Sequence, residues 1–177
     1  MTKQAPVKMY DAVTPDNIPE SAEVVAGYVD GNYAWPPEAW HRWPDAVKVL
    51  ITVFGSTKGN VADVEDGDMT PGEARKWIEA KHQEGVHEST VYCSRSVLEE
   101  VRASCRGLDY FIWVADWTGS PHRVPGTVAT QYSNVENAYD LSMAYSQEWL
   151  DVINKANRPW PYRTNLWGRS VMRHDNA

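Results

Sequence analysis

Hydrophobic positions fall into eight short segments along the chain, and turn residues or helix signals separate each segment from the next. Residues 47–54 are almost continuously apolar, which is typical of strands buried on both faces of a parallel sheet. The other segments are shorter and end near Gly, Pro, Asn or Asp, the residues that favour turns. We therefore predict strands at 7–11, 24–30, 47–54, 60–65, 90–93, 110–115, 127–132 and 138–142.

Helix signals occupy at least three of the connections. Thr70 and Glu73 form a capping-box pattern around Pro71, and this helix would end at Gly85. A second helix would begin after Ser94 or Ser96 and extend to about residue 103. We also predict one or two helical turns at 36–43 and a last helix at 145–154.

This order of elements predicts an α/β fold, namely a compact, irregular (β/α)8 barrel of the TIM type with shortened or missing helices. The strands of that fold are parallel, so all eight are expected to run in one direction. Such barrels typically have about 250 residues. Because this chain has 177 residues, several helices would be short or absent. An open α/β sheet with fewer strands is the alternative.

The last part of the chain differs in composition from the rest, with Asn, Arg, Pro and Trp in no periodic order. We expect a barrel domain over residues 1–154 and a C-terminal extended tail over 155–177, docked through Trp160 and Trp167. A tail that carries Trp and Arg suits binding to a partner protein better than catalysis.

Charge and hydropathy exclude several classes of function. The net charge is −7 and the chain has no basic stripe, so nucleic acid is not an expected partner. No stretch approaches the about 18 apolar residues of a membrane span, and residues 1–6 lack the apolar segment of a signal peptide. Cys93 and Cys105 lack zinc-site spacing and are expected to be reduced, buried thiols. We predict no metal and no other cofactor.

The aromatic composition is unusual, because the chain has nine Trp and nine Tyr but only two Phe. Trp and Tyr offer apolar faces on which sugar rings stack, together with polar edges that form hydrogen bonds. Large aromatic side chains are nevertheless mostly buried in folded proteins. We expect most of these rings to fill the core and a minority to contact a ligand.

Asp63 and Glu65 form the most informative pair of acidic residues. They lie at the end of a predicted strand, and alternation along a strand projects both from one face, with Cα atoms roughly 6–7 Å apart. Two carboxylates that close repel each other and titrate unequally. One protonated acid beside one ionised acid is the arrangement that glycoside hydrolysis requires.

Catalytic side chains of such barrels gather at the carboxyl ends of the strands. Polar residues at the predicted strand ends give a catalytic set of Asp11, Asp63, Glu65 and Asp140. The predicted substrate-binding residues are Tyr28, Asp30, Tyr92, Trp113, Trp117, Gln131 and Tyr132. A lone Asp at a strand end is commonly a turn residue or a helix cap, and this alternative stays open for Asp11 and Asp30. We favour the turn interpretation for Asp16, Asp66 and Asp68.

Taken together, these strand ends resemble the family-25 glycoside hydrolases, the Chalaropsis-type lysozymes. The matching pieces are Asp11, Asp-x-Glu at 63–65, Val-Tyr-Cys-Ser at 91–94, Ile-Trp-Val-Ala at 112–115, Gln-Tyr at 131–132 and Tyr-Asp-Leu-Ser at 139–142. Their order and spacing agree over about residues 8–145. Residues 26–31 look like a branch of this fold from actinobacterial phages and prophages, whereas residues 9–12 lack the usual Gly-Ile-Asp-Val-Ser pattern.

The resemblance implies an enzyme that cleaves the β-1,4 bond between N-acetylmuramic acid and N-acetylglucosamine in the glycan strand of peptidoglycan. By position it implies that Glu65 is the general acid, and that Asp63 assists it or orients the N-acetyl group or the nucleophile. Asp11 and Asp140 would complete an acidic floor. A phage lysin without a signal peptide would stay in the host cytoplasm until its release to the wall, or would be carried on the virion.

Two other functions remain open at the level of the sequence. The chain could be an inactive or weakly active virion or wall-binding protein that keeps the barrel and docks onto other phage structural proteins through residues 155–177. It could also be a glycosidase for a different amino-sugar polymer.

Overall fold

The computed structural model describes residues 4–56, 58–87 and 89–157. The strands are β1 (Val7–Asp11), β2 (Val24–Tyr28), β3 (Val47–Thr52), β4 (Val61–Val64), β5 (Thr90–Ser94), β6 (Phe111–Ala115), β7 (Ala129–Val135) and β8 (Tyr139–Ala144). The α-helices are α1 (Pro71–Gln83), α2 (Leu98–Ser104) and α3 (Gln147–Ala156), with short 3-10 helices at Pro15–Asn17 and Pro37–Arg42. The strands close into one barrel in chain order, which confirms the predicted fold and excludes the open sheet.

The direction of the last strand corrects the sequence prediction. Neighbouring strands from β1 to β7 are parallel, but β8 runs antiparallel to both β7 and β1. A parallel crossover needs about a dozen residues or more, whereas β7 and β8 are joined by a tight hairpin. Glu136 and Asn137 adopt positive φ angles of 50° and 57° in that turn. The amino end of β8 therefore lies beside the carboxyl ends of the other strands.

Helix α1 begins as predicted. The Thr70 hydroxyl accepts a bond from the Glu73 amide, and the Glu73 carboxylate accepts one from the Thr70 amide. Helix α2 starts later than predicted, because its N-cap is Val97 and neither Ser94 nor Ser96 caps it through a side chain. The two serine hydroxyls bond to each other instead, at 2.8 Å.

Helix α3 closes the amino end of the barrel. Its side chains Trp149, Leu150 and Ile153 are fully buried and belong to the same core cluster as the inward residues of the strands. The Trp149 indole N–H also donates to the Thr90 hydroxyl at 2.9 Å. Because this end is filled by apolar packing, access to the barrel interior is left at the opposite end, which we term the mouth.

Much of the tryptophan content is structural. Trp35, Trp40 and Trp43 pack against one another and cover β2 and β3 where no α-helix connects the strands. Gly27 makes this possible, because a Cβ atom at that position would come within 2.5 Å of the Trp35 ring. Within the described residues, six of the nine Trp side chains are buried but only two of the nine Tyr side chains, so the expectation that most rings fill the core is confirmed for Trp alone.

The predicted tail lies almost entirely outside the described residues. Helix α3 extends to Ala156, so the first two residues of the predicted tail belong to this helix. Trp160 and Trp167, its predicted docking residues, lie outside the described ranges. Within those ranges, no helix combines the length and the apolar character needed to cross a membrane.

Candidate active site

Side chains from β1, β4 and β8 bring acidic groups to the mouth. Alternation along the strands turns Val7, Met9 and Asp11 of β1 to the same side, and the two apolar residues lie in the central core. Asp11 is therefore the uppermost inward residue of its strand. It pairs in register with Asp140 of β8, which reaches the mouth because β8 is reversed.

Three carboxylates converge at the end of β4. One oxygen from each of Asp63, Glu65 and Asp68 lies within 4.8 Å of the others, and we term this set the carboxylate trio. The predicted closeness of Asp63 and Glu65 is thereby confirmed. Asp68 does form the predicted turn, since its amide donates to the Glu65 carbonyl at 3.1 Å. That turn, with Gly67 at a φ of 91°, also carries the Asp68 side chain back towards β4.

Asp63 is the most deeply buried member of the trio, at 1% exposure. One of its oxygens, Oδ2, accepts a long bond of 3.4 Å from the Tyr28 hydroxyl. The other, Oδ1, is buried without a hydrogen-bond partner among the described residues. Burial, and then the charges of Glu65 and Asp68, raise the pKa of Asp63 to about 8. This carboxyl group consequently holds a proton near neutral pH.

Glu65 lies one residue beyond β4 and is exposed at the mouth. Partial desolvation raises the pKa of its carboxyl group, while a hydrogen bond with the Tyr92 phenol opposes this increase. The charges of Asp68 and Asp140 add to the upward shift. Glu65 is thus the accessible member of the trio on the side that faces Asp140.

Asp11 provides a second buried carboxyl group. It is 8% exposed, and its Oδ2 accepts a 3.0 Å bond from the Gln131 amide. Its Oδ1 has no partner within the described part of the chain. Burial, followed by the charge of Asp140, raises the pKa of Asp11 to about 8. Burial also raises the pKa of Asp140, although a 2.7 Å bond from the Asn134 amide opposes this shift.

Gln131 connects the acids to the rim of the mouth. Its Oε1 accepts bonds from the Tyr92 hydroxyl at 3.0 Å and from the Trp117 indole at 2.9 Å. Because an indole N–H can only donate, this contact fixes which side of the amide is the oxygen. The Nε2 group is then directed to Asp11, as observed. Gln131 itself is almost completely buried, so it positions its neighbours.

The other predicted substrate-binding residues occupy different environments. Trp117 is 60% exposed and presents its ring at the mouth. Trp113 is 1% exposed and packs against the Tyr92 ring, where its indole donates to the Ser142 hydroxyl. Tyr132 is also buried and therefore offers no surface to a ligand.

Asp30 has a structural role in the loop after β2. Its carboxylate accepts bonds from the Thr52 hydroxyl and from the Val53 amide, the latter at 2.8 Å. Both oxygens are therefore engaged in holding this loop to the end of β3. The turn interpretation left open by the sequence fits this geometry better than direct contact with substrate does.

Exposed apolar side chains are concentrated around the mouth. The large hydrophobic residues that are exposed in the described ranges are Val13, Tyr33, Phe54 and Trp117. They follow the carboxyl ends of β1, β2, β3 and β6, respectively. Three of them are aromatic, so flat ring faces surround the acidic floor. Tyr33 and Phe54 were not predicted from the sequence, because Tyr33 lies beyond the end of a predicted strand and Phe54 ends a predicted strand that carries no acid.

The trio also supplies oxygen atoms of the kind that hard cations bind. Calcium and magnesium usually take about six or more oxygen ligands, and three carboxylates alone do not define such a site. Proton sharing explains the same arrangement without a cation, since close carboxylates cannot all ionise at neutral pH. The absence of a metal from the reaction stays a prediction.

Comparison with known proteins identifies a relative in fold. The sequence matches no protein-family profile and no curated protein at a significant level. The structure is similar to that of a muramidase from Acremonium alcalophilum, with a TM-score of 0.55 and 11% sequence identity. The similarity covers 84% of this chain and 99% of the muramidase. At this identity the match establishes a shared barrel fold, and the chemistry has to be argued from the site itself.

Proposed function

We propose that this protein is a lysozyme-type glycoside hydrolase that cleaves the bond between N-acetylmuramic acid and N-acetylglucosamine in peptidoglycan. The observation that carries the proposal is the pairing of protonated and ionisable carboxyl groups at an open mouth. Asp11 and Asp63 retain protons near neutral pH, and the exposed Glu65 lies beside Asp63. Glycosidic bond cleavage requires a proton donor and a nearby negative charge, and Glu65 and Asp140 can supply these two roles beside the neutral Asp63.

In the proposed mechanism, Glu65 donates a proton to the glycosidic oxygen as the bond from this oxygen to the anomeric carbon breaks, and a water molecule then adds to that carbon and replaces the donated proton. Glu65 is exposed, as Asp68 is, and it also faces Asp140, so a polymer at the mouth can reach it. Asp63 stays neutral because it is buried, which limits the negative charge around Glu65 and helps it to release its proton. Asp140, which faces Glu65 from β8, stabilises the positive charge that develops on the sugar ring.

The aromatic rim provides the binding surface for the glycan. Sugar rings stack on flat aromatic faces, and Trp117, Tyr33 and Phe54 present such faces around the acids. Trp117 is held in place by its bond to Gln131, which also bonds Asp11. A sugar that stacks on Trp117 is therefore positioned relative to the acidic floor. The similarity in fold to a muramidase gives independent support.

The pH dependence of wall hydrolysis tests this proposal. Burial raises the pKa of Glu65, the proposed donor, so kcat/KM should persist above the ordinary carboxyl range, and it should be lost once Asp63 also ionises as pH rises through about 8. Initial rates of clearing of purified actinobacterial walls, from about pH 4 to about pH 10, give this profile. Circular dichroism at each pH controls for unfolding. A rate that is already lost at the ordinary carboxyl pKa, near about 4, would refute the proposed donor.

A wall-binding module without catalysis is the competing function. It accounts for the aromatic rim but gives no reason for two buried carboxyl oxygens, Asp11 Oδ1 and Asp63 Oδ1, that have no partner among the residues the structure describes. Burying such groups destabilises a fold, and a binding surface does not require them. Walls that are bound but not cleared at any pH would favour this alternative. The resemblance to a phage branch motivates the choice of actinobacterial walls.

A further inference from the structure

A cavity of about 440 Å³ lies next to the carboxylate trio, outside the ring of strands. It is enclosed by the loop after β3, the turn after β4 and the first turns of α1. Its apolar lining includes Phe54, Met69 and Trp77, and its charged lining includes Asp68 and Lys76. Asp68 therefore belongs both to this cavity and to the trio.

Hydrogen bonds hold the cavity walls in a fixed position relative to the acids. The Met69 amide donates to the Asp63 carbonyl at 3.1 Å, so the cavity base is bonded directly to the catalytic strand. The Trp77 indole donates to the Ser56 carbonyl at 3.2 Å and ties α1 to the loop after β3. A group bound here would occupy a defined place beside the trio.

The lining suits a short peptide better than a sugar ring. Met69 and Trp77 are buried and form an apolar base, whereas Phe54 is 78% exposed and forms the lip. Such a surface takes methyl and methylene groups but gives few partners to the many hydroxyls of a sugar. Lys76 is the cationic residue of the lining and the partner for an anionic group, beside a Glu73 carboxylate that Lys76 also attracts and that accepts bonds from Thr70.

The position of the cavity suits a side substituent of a polymer better than the main chain of that polymer. Asp63 and Glu65 belong to the inward side of the barrel wall, whereas the cavity lies between that wall and α1. A glycan that crosses the mouth passes over the acids, and a substituent that leaves it sideways at Asp68 enters the cavity. In peptidoglycan, the lactyl group of muramic acid carries such a substituent, which begins with alanine and an acidic residue.

We propose that this cavity binds the peptide substituent of the muramic acid residue, with the alanine methyl group on Met69 and Phe54 and the acidic residue paired with Lys76. The proposal rests on the proposed function, since it concerns the same substrate. It implies that the enzyme cleaves peptide-bearing glycan strands with a higher kcat/KM than peptide-free strands.

Two exposed residues allow a direct test. Lys76→Ala should lower kcat/KM about fivefold to tenfold on soluble peptide-bearing strands and leave it unchanged on strands stripped of peptide by an amidase. Phe54→Ala also removes a ring from the glycan-binding rim, so it should lower kcat/KM on both substrates, but more on the peptide-bearing strands. Lys76→Arg should retain most of the rate. Lys8→Ala, which removes an exposed lysine near the far end of β1, is the charge-matched control. Equal losses on both substrates, or no loss on either, would overturn the peptide assignment.

A binding measurement separates this proposal from the proposed function. Calorimetric titration with N-acetylmuramoyl-L-alanyl-D-glutamate, and with an N-acetylglucosamine oligomer for comparison, requires no catalysis. The muramoyl peptide should bind the wild type, and Lys76→Glu should abolish this binding. If neither substrate is cleaved but this pattern holds, the hydrolase proposal fails and the peptide site stands. If cleavage occurs but Lys76→Glu binds the muramoyl peptide as tightly as the wild type, the peptide site fails alone.

Discussion

Glu65→Gln is expected to lower kcat for peptidoglycan hydrolysis by about 10²–10⁴-fold, the contribution of a general acid. Glutamine keeps the size and polarity of the side chain but carries no transferable proton. Because Glu65 is exposed and lies beyond the end of β4, the fold should be unaffected. Binding to walls should also persist, since the aromatic rim is unchanged. The measurement is the release of reducing ends from soluble glycan strands.

The matched control for this prediction is Glu100→Gln. Glu100 is an exposed residue of α2 outside the acidic floor, so its replacement should leave the rate unchanged. If Glu65→Gln is as active as the wild type, as Glu100→Gln is expected to be, Glu65 is not the proton donor. Loss of activity together with loss of wall binding would instead assign Glu65 to substrate binding.

Asp63→Asn is expected to stabilise the protein above neutral pH and to keep much of its activity at neutral pH, because asparagine is neutral, as the protonated Asp63 is. Burial raises the pKa of Asp63 from its ordinary 3.8 to about 8 in the folded state. The unfolded chain loses this proton at the ordinary pKa of 3.8, whereas the folded chain keeps it up to about pH 8. The free energy of unfolding therefore decreases as pH rises between these two values and stays lower at higher pH. Asparagine does not ionise, so the variant escapes this loss. Its amide oxygen can still accept the bond from Tyr28.

Thermal unfolding at several pH values measures this effect. The increase in Tm of Asp63→Asn over the wild type should be small near pH 4 and should grow to its full size above pH 8. Each kcal/mol of unfolding free energy corresponds to about 2–4 °C in a chain of this size. Asp66→Asn, a change in an exposed turn residue, is the control. A Tm difference that is constant with pH, or that decreases as pH rises, would contradict the burial of a protonated carboxyl group.

The chemistry of the site could be predicted where it depended on local alternation. A period of two places Asp63 and Glu65 together in any strand, and their carboxylates do converge. The continuous apolar run of β3 likewise predicted a strand buried on both sides, and each of its six residues is buried. The placement of Asp11 followed from the end of β1 by the same rule.

Features that depend on distant contacts could not be predicted in this way. The reversal of β8 is an exception, because it is a local feature that follows from the tight hairpin. The short gap between the predicted seventh and eighth strands could have indicated it. Asp68 reaches the trio because the turn after Glu65 folds back, and a turn residue and a site residue look alike in sequence. Trp113 lies at an inward position, but its nearly complete burial against Tyr92 depends on packing inside the barrel.

The most direct test of the central claim is the identity of the reducing end that the wild-type protein creates in purified actinobacterial peptidoglycan. Borohydride reduction of the released fragments, followed by mass spectrometry, labels the sugar whose glycosidic bond was cut. We expect reduced N-acetylmuramic acid at these ends, with fragments strongly depleted in a parallel digest by Glu65→Gln. Reduced N-acetylglucosamine at the new ends, or intact walls after digestion by the wild type, would contradict this expectation.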